Sequence, residues 1–211
     1  MRQVSYACVR GVVTARTVVD QALAALRNVQ VPDALARTTR DAAIEIDRAW
    51  SRAPFVAGLG ARGVAATAID LPKRKAEEAI PAFHKVVPST ADTVVGGHSF
   101  GGRVASLAAA EPDAPDAALV CFSYPLHPPG SPDRAEARTA HWPSIRCPVL
   151  LLSGESDPFA RVDLLRRLVP TIGGPAELVT YPKLGHGLAP VLDDVLDRVA
   201  AFLGQIEGRR G

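Results

Sequence analysis

The sequence predicts an α/β protein, a three-layer α/β/α sandwich around a mostly parallel sheet. Three observations carry this. From residue 63 onward, apolar runs of strand length alternate with longer segments of helical period. The runs are apolar throughout rather than at every second position, as in strands buried on both faces. Strand–helix–strand alternation calls for right-handed crossovers, which place successive strands parallel.

The elements follow in order. Residues 3–19 hold one or two strands, and 17–28 and 33–50 read as helical, with Pro32 and Asp33 as a start signal. This makes 1–52 an atypical, helical N-terminal segment packed on a domain spanning 53–211. In that domain GVAATAIDL (63–71) reads as a buried strand, and 73–87 as a helix that Pro81 kinks or divides. TVVGG (93–97) is a short buried strand, and GGRVASLAAA (101–110) a small-residue helix. AALVCFSY (117–124) and PVLLLS (148–153) are strands, and 161–169 is an amphipathic helix. ELVTY (177–181) is the last strand. Residues 190–203 form a closing helix, with Val191, Leu192, Val195, Val199 and Phe202 on one stripe.

The 211 residues suit one domain with a substantial core. A net charge of +2 with scattered basic residues argues against nucleic acid or an acidic membrane as a partner. Cys8, Cys121 and Cys147 are too far apart in sequence for a zinc motif, and an odd count argues against a disulfide framework. The five histidines show neither HExxH nor HxH spacing, so no metal site is expected. No apolar stretch approaches the roughly 18 residues of a membrane span. The N-terminus lacks the pattern of a secretory signal. The expectation is a cytoplasmic protein.

In a doubly wound sheet the chemistry sits beyond the carboxyl ends of the strands. Ser99, in Gly97-His98-Ser99-Phe100-Gly101, directly follows one strand and precedes a helix. A chance GxSxG arises in roughly one chain in ten at ordinary glycine usage, so the pattern gains its weight from the strand before it and the helix after it. This is the setting of a nucleophile elbow. A sharp turn exposes the serine hydroxyl, small neighbours avoid clashes, and the N–H of Phe100 can serve as an oxyanion donor. The competing reading is a glycine-rich packing turn.

A serine nucleophile needs a base, and the base a carboxylate. Asp157 follows PVLLLS and His186 follows ELVTY, in the order Ser, Asp, His and on the rim that holds Ser99. Two alternatives stay open for the acid: Asp157 could cap a helix with Pro158 at its first position, and Glu155 could take its role. His186 could be an exposed loop residue. His98 (inside the elbow), with His127 and Trp142 in the long loop 126–143, are the candidate substrate-binding residues. His141 lies in the same loop, and His84 on a helix surface.

GGHSFGGRVAS, CFSYPLHPPG, CPVLLLSGESDPF and YPKLGHGL resemble small bacterial α/β-hydrolase-like proteins related to dienelactone hydrolase. That group is also related to the hydrolase-like region of a eukaryotic chromatin-complex subunit. The likeness spans about 53–205, with APFVAGLGARGVAATAIDLP as the helix and strand before the nucleophile strand. It implies Ser99 as nucleophile, Asp157 as acid and His186 as base, acting without a cofactor on a small ester, thioester or lactone. In that group an earlier His-Gly-rich loop supplies a second oxyanion N–H. Residues 40–53 here, RDAAIEIDRAWSRA, contain neither His nor Gly. Loss of one such donor costs about 10²–10³ in rate. The rival expectation is therefore a hydrolase fold kept as a non-catalytic interaction module.

Overall fold

A computed structural model of the chain describes residues 3–6 (backbone), 54–72, 74–87, 90–114 and 116–208. The helices expected over 17–28 and 33–50, and the stretch 40–53, lie outside these residues.

Among the described residues six strands form one sheet: β1 (Gln3–Tyr6), β2 (Ala65–Ala68), β3 (Val94–His98), β4 (Ala118–Phe122), β5 (Val149–Gly154) and β6 (Ala176–Tyr181). Their order is β2-β1-β3-β4-β5-β6, and every neighbouring pair is parallel. The first residues of the chain thus contribute a strand inside the sheet. After β1 the chain adds β2 on one side, then returns to add β3 on the other. The winding reverses between β1 and β3, where open α/β sheets form a crevice for ligands.

Among the described residues six α-helices accompany the strands: α1 (54–61), α2 (Ala76–Val86), α3 (Phe100–Ala108), α4 (Ala135–Thr139), α5 (Val162–Leu168) and α6 (Leu192–Gly208). Strand side chains alternate between two cores. Val95, Leu119, Cys121, Val149 and Leu151 pack on one face with α2, α3 and α5. Val94, Ala118, Val120, Phe122, Leu150 and Leu152 pack on the other with α1 and α6. That is the sandwich the sequence predicts. Each fully buried Leu, Val or Phe contributes about 1.5–3 kcal/mol relative to exposure.

Two expectations need correction. The run 63–71 is not a strand buried on both faces: β2 is shorter, lies at the sheet edge and alternates exposed with half-buried residues. Among the described residues no strand pairs with its outer edge. Pro81 does not divide its helix, because α2 is continuous through it. Proline removes one hydrogen bond, and Pro81 faces solvent while Ala76, Ala79 and Phe83 hold the buried face.

Candidate active site

Ser99 connects β3 to α3. Its N–H donates to Phe122 O at 2.8 Å, the last sheet bond of the strand. Its backbone then turns to φ 52°, ψ −114°, a sparsely populated conformation for a residue with a side chain, costing about 1–3 kcal/mol. The turn brings β3 and α3 so close that a Cβ on Gly97 would lie 2.7 Å from Gly101 C, and one on Gly102 2.7 Å from Gly97 O. Gly102, one residue beyond the Gly97–Gly101 run, shares this close approach. Phe100 opens α3, so its N–H has no intrahelical acceptor and points from the positive end of the helix.

The acid and base candidates meet at the ends of β5 and β6. His186 Nδ1 lies 2.8 Å from Asp157 Oδ2, whose side chain is fully shielded from solvent. Asp157 Oδ1 accepts the Phe159 N–H at 2.8 Å. Asp157 therefore does local and site work together. It is not a helix cap, since α5 begins only at Val162 after the cap residue Arg161; it closes an Asx turn with one oxygen and meets His186 with the other. Glu155 is engaged elsewhere, accepting from Thr180 Oγ1 and Arg166 Nη2, each at 2.8 Å.

Two rings hold the His186 imidazole. Phe159 packs on it with centroids 4.6 Å apart, and His98 meets it edge-on at 4.9 Å. His98 also donates from Nε2 to His186 O at 3.0 Å. His98 thus holds the backbone of the loop that carries His186. The loops that carry Asp157 and His186 are tied by Ser156 N–H to Leu184 O at 2.8 Å.

The match to a model of the alpha/beta hydrolase domain spans residues 65–196. The chain belongs to the α/β-hydrolase family. It superposes on the monoacylglycerol lipase of Paleococcus ferrophilus at TM-score 0.62 and 14% identity, covering 94% of each chain. Est1E of Butyrivibrio proteoclasticus, solved with ferulic acid, gives TM-score 0.60 at 17% identity over 75% of this chain and 83% of that one. At these identities the likeness is one of fold. The chain spans about a quarter of the length of a puromycin hydrolase it also matches: 24% of that chain, at TM-score 0.48 and 20% identity.

Two candidate substrate-binding residues of this α/β-hydrolase do not face a cleft. Trp142 is buried and packs edge-on against Tyr124 at 5.2 Å, because the loop 126–143 folds back as short helical turns with apolar residues inward. His127 is 2% exposed, and both its ring nitrogens are used by the backbone. Nδ1–H donates to Pro128 O at 2.8 Å, and Nε2 accepts Arg161 N–H at 3.1 Å. Its own N–H donates to Phe159 O at 2.9 Å. His127 therefore clamps both sides of the turn that presents Asp157. His127→Leu leaves the Arg161 N–H without its acceptor, and a loss of about 1–3 kcal/mol of stability is expected. Urea unfolding of His127→Leu against His127→Gln, which restores an acceptor, measures it. Equal midpoints for Leu and wild type would refute the clamp.

His141 is likewise withdrawn, with Nε2 2.9 Å from Ser106 Oγ. Burial, then the neighbouring Arg103, lowers its pKa to about 4, so it is neutral at ordinary pH. His84 forms a surface pair with Glu111 at 2.8 Å. Among the described residues no cluster of His, Cys, Asp and Glu could hold a metal, and no helix is long and apolar enough to cross a membrane.

Proposed function

We propose that the protein is a serine hydrolase of small esters, thioesters or lactones, with Ser99 as nucleophile, His186 as base and Asp157 as its partner. The observation that carries this reading is the His186–Asp157 contact of 2.8 Å on the rim where a strained elbow presents Ser99. With Nδ1–H committed to Asp157, Nε2 is the nitrogen able to take a proton.

His186 Nε2 takes the Ser99 hydroxyl proton while Oγ attacks the substrate carbonyl carbon. Negative charge gathers on the carbonyl oxygen, opposite the Phe100 N–H. Asp157 stabilises the imidazolium and fixes its orientation. The carbon–oxygen or carbon–sulfur bond then breaks, and His186 passes its proton to the leaving group. Water, deprotonated by the same nitrogen, attacks the acyl carbon; the bond to Ser99 Oγ breaks as His186 returns the proton to it, and the acid departs. The sequence likeness to proteins related to dienelactone hydrolase supports a compact acyl substrate.

One observation favours the non-catalytic reading: the stretch 40–53 contains no His-Gly loop to give a second oxyanion donor. A fluorophosphonate probe separates the two. The wild type is expected to take a single label at Ser99, located by peptide mass spectrometry, and Ser99→Ala to take none. A folded wild type that stays unlabelled would favour the scaffold. A label persisting in Ser99→Ala would name another nucleophile.

A further inference from the structure

We infer that Arg103 is a specificity residue that selects a substrate carrying a carboxylate a few bonds from the scissile carbonyl, such as a half-ester of a dicarboxylic acid. The inference rests on the serine-hydrolase reading and adds a substrate class to it.

Arg103 lies one helical turn beyond the candidate nucleophile, its N–H donating to Ser99 O at 3.1 Å. That bond places Arg103 in the turn of α3 that directly follows Ser99. Among the described residues the guanidinium is tied at one point: Nη2 donates to Glu77 Oε1 at 2.6 Å. Its Nε is buried and has no hydrogen-bond partner among the described residues. A buried N–H without an acceptor is costly, so turning the guanidinium onto a carboxylate recovers what the resting arrangement leaves unmade. Arginine's planar fork suits a two-point bond to such a group.

The surroundings favour an anion. Glu77 lies in the first turn of α2, Arg103 is the fourth residue of α3, and Arg138 lies in α4 after β4, all on segments that leave the carboxyl edge of the sheet. Arg138 is held by Nη1–H to Pro125 O at 3.1 Å. Burial, then Arg103, lowers its pKa, and Arg134 acts in the same direction, while Glu77 opposes. The cluster thus sets three guanidiniums against the Glu77 carboxylate, half of which is exposed. His141, which also faces Arg103, is neutral at pH 7. A surplus of positive charge around Arg103 lowers the cost of bringing in a carboxylate and repels no neutral ester.

The test pairs p-nitrophenyl hemiglutarate with p-nitrophenyl butyrate, an uncharged ester of similar length. Arg103→Met is expected to lower the ratio of kcat/KM for the charged to the neutral ester by about 10- to 100-fold, the usual weight of a charge-assisted pair. Glu77→Gln, which removes the competing carboxylate, is expected to raise that ratio. If Arg103 only ties α2 to α3, both variants slow the two esters alike and the ratio stays constant, which overturns the proposal. Calorimetry with glutarate on Ser99→Ala, with and without Arg103→Met, reads binding without turnover: at least a tenfold weakening is expected, and equal affinity refutes the site. Fluorophosphonate labelling reports on the hydrolase reading separately. A labelled enzyme with a constant ratio sinks Arg103 alone, and an unlabelled one whose glutarate binding depends on Arg103 sinks the hydrolysis alone.

Discussion

Asp157→Asn is expected to lower kcat by about 10⁴-fold and to leave the fold in place. The reason lies in what each oxygen of Asp157 meets. Oδ1 accepts the Phe159 N–H at 2.8 Å, and Oδ2 accepts from His186 Nδ1. An asparagine has one oxygen, and the Asx turn claims it, since an NH₂ group there would oppose the Phe159 N–H. The amide NH₂ must then face His186. A donor facing Nδ1 requires that nitrogen to be unprotonated, so the ring proton moves to Nε2. A protonated Nε2 cannot accept from Ser99, and the base is lost while every backbone contact survives. Steady-state kinetics on an activated ester gives the size of the loss, and the rate of fluorophosphonate labelling should fall in parallel. The proton resonance of His186 distinguishes the tautomers directly. A variant within tenfold of wild type would remove Asp157 from the mechanism. Asp157→Ala is the companion: it frees the ring instead of forcing the wrong tautomer, but it also opens the Asx turn, so it should lose stability that Asp157→Asn keeps.

Much of this arrangement was legible in the sequence, and the parts that were not share a cause. The uniform apolar runs of β3, β4 and β5 identify central strands, because such strands are covered on both faces. The edge strand β2 carries a similar run, and nothing local tells an edge from a centre: its exposure follows from pairing order, set by residues far away in the chain. The order Ser99, Asp157, His186 is readable because each follows a strand whose carboxyl end must share one rim. The roles of His98 and His127 were not readable. Both are histidines near that rim, which suggested substrate contact, yet their ring nitrogens meet backbone groups of the base and acid loops. Loop–loop hydrogen bonds leave no periodic trace. Phe159 went unnoticed for the same reason: the packing of its ring on His186 depends on two loops crossing. Gly102 differs: the elbow's steric logic accounts for Gly97, and the same logic extends one residue past the run to Gly102.

Gly154 shows how a residue with no functional group can set the chemistry. It ends β5, and the loop carrying His186 runs directly over it. A Cβ built there would lie 2.2 Å from Gly185 O and 2.3 Å from Leu184 O, where ordinary contact begins at 3.4 Å. Both obstacles are backbone, so no rotamer change relieves them. Gly154→Ala must lift the loop by roughly an ångström, and a displacement of that size at a reacting group costs on the order of 10² in rate. The lift also strains the Ser156 N–H to Leu184 O bond that ties the acid loop to the base loop, so Asp157 and His186 separate rather than move together. Overpacking adds about 1–3 kcal/mol of destabilisation. Gly204→Ala is the control: it lies in α6 with no described residue within 4 Å of the added methyl, and an alanine inside a helix is expected to stabilise by about 0.5–1 kcal/mol. Thermal melts and kcat on both variants test the argument. A Gly154→Ala enzyme with kcat within threefold of wild type would mean that the base loop does not rest on β5 when the enzyme turns over. A large fall in kcat at a temperature where the variant is still fully folded is the expected result, because the methyl displaces the loop that carries the base before it unfolds the sheet.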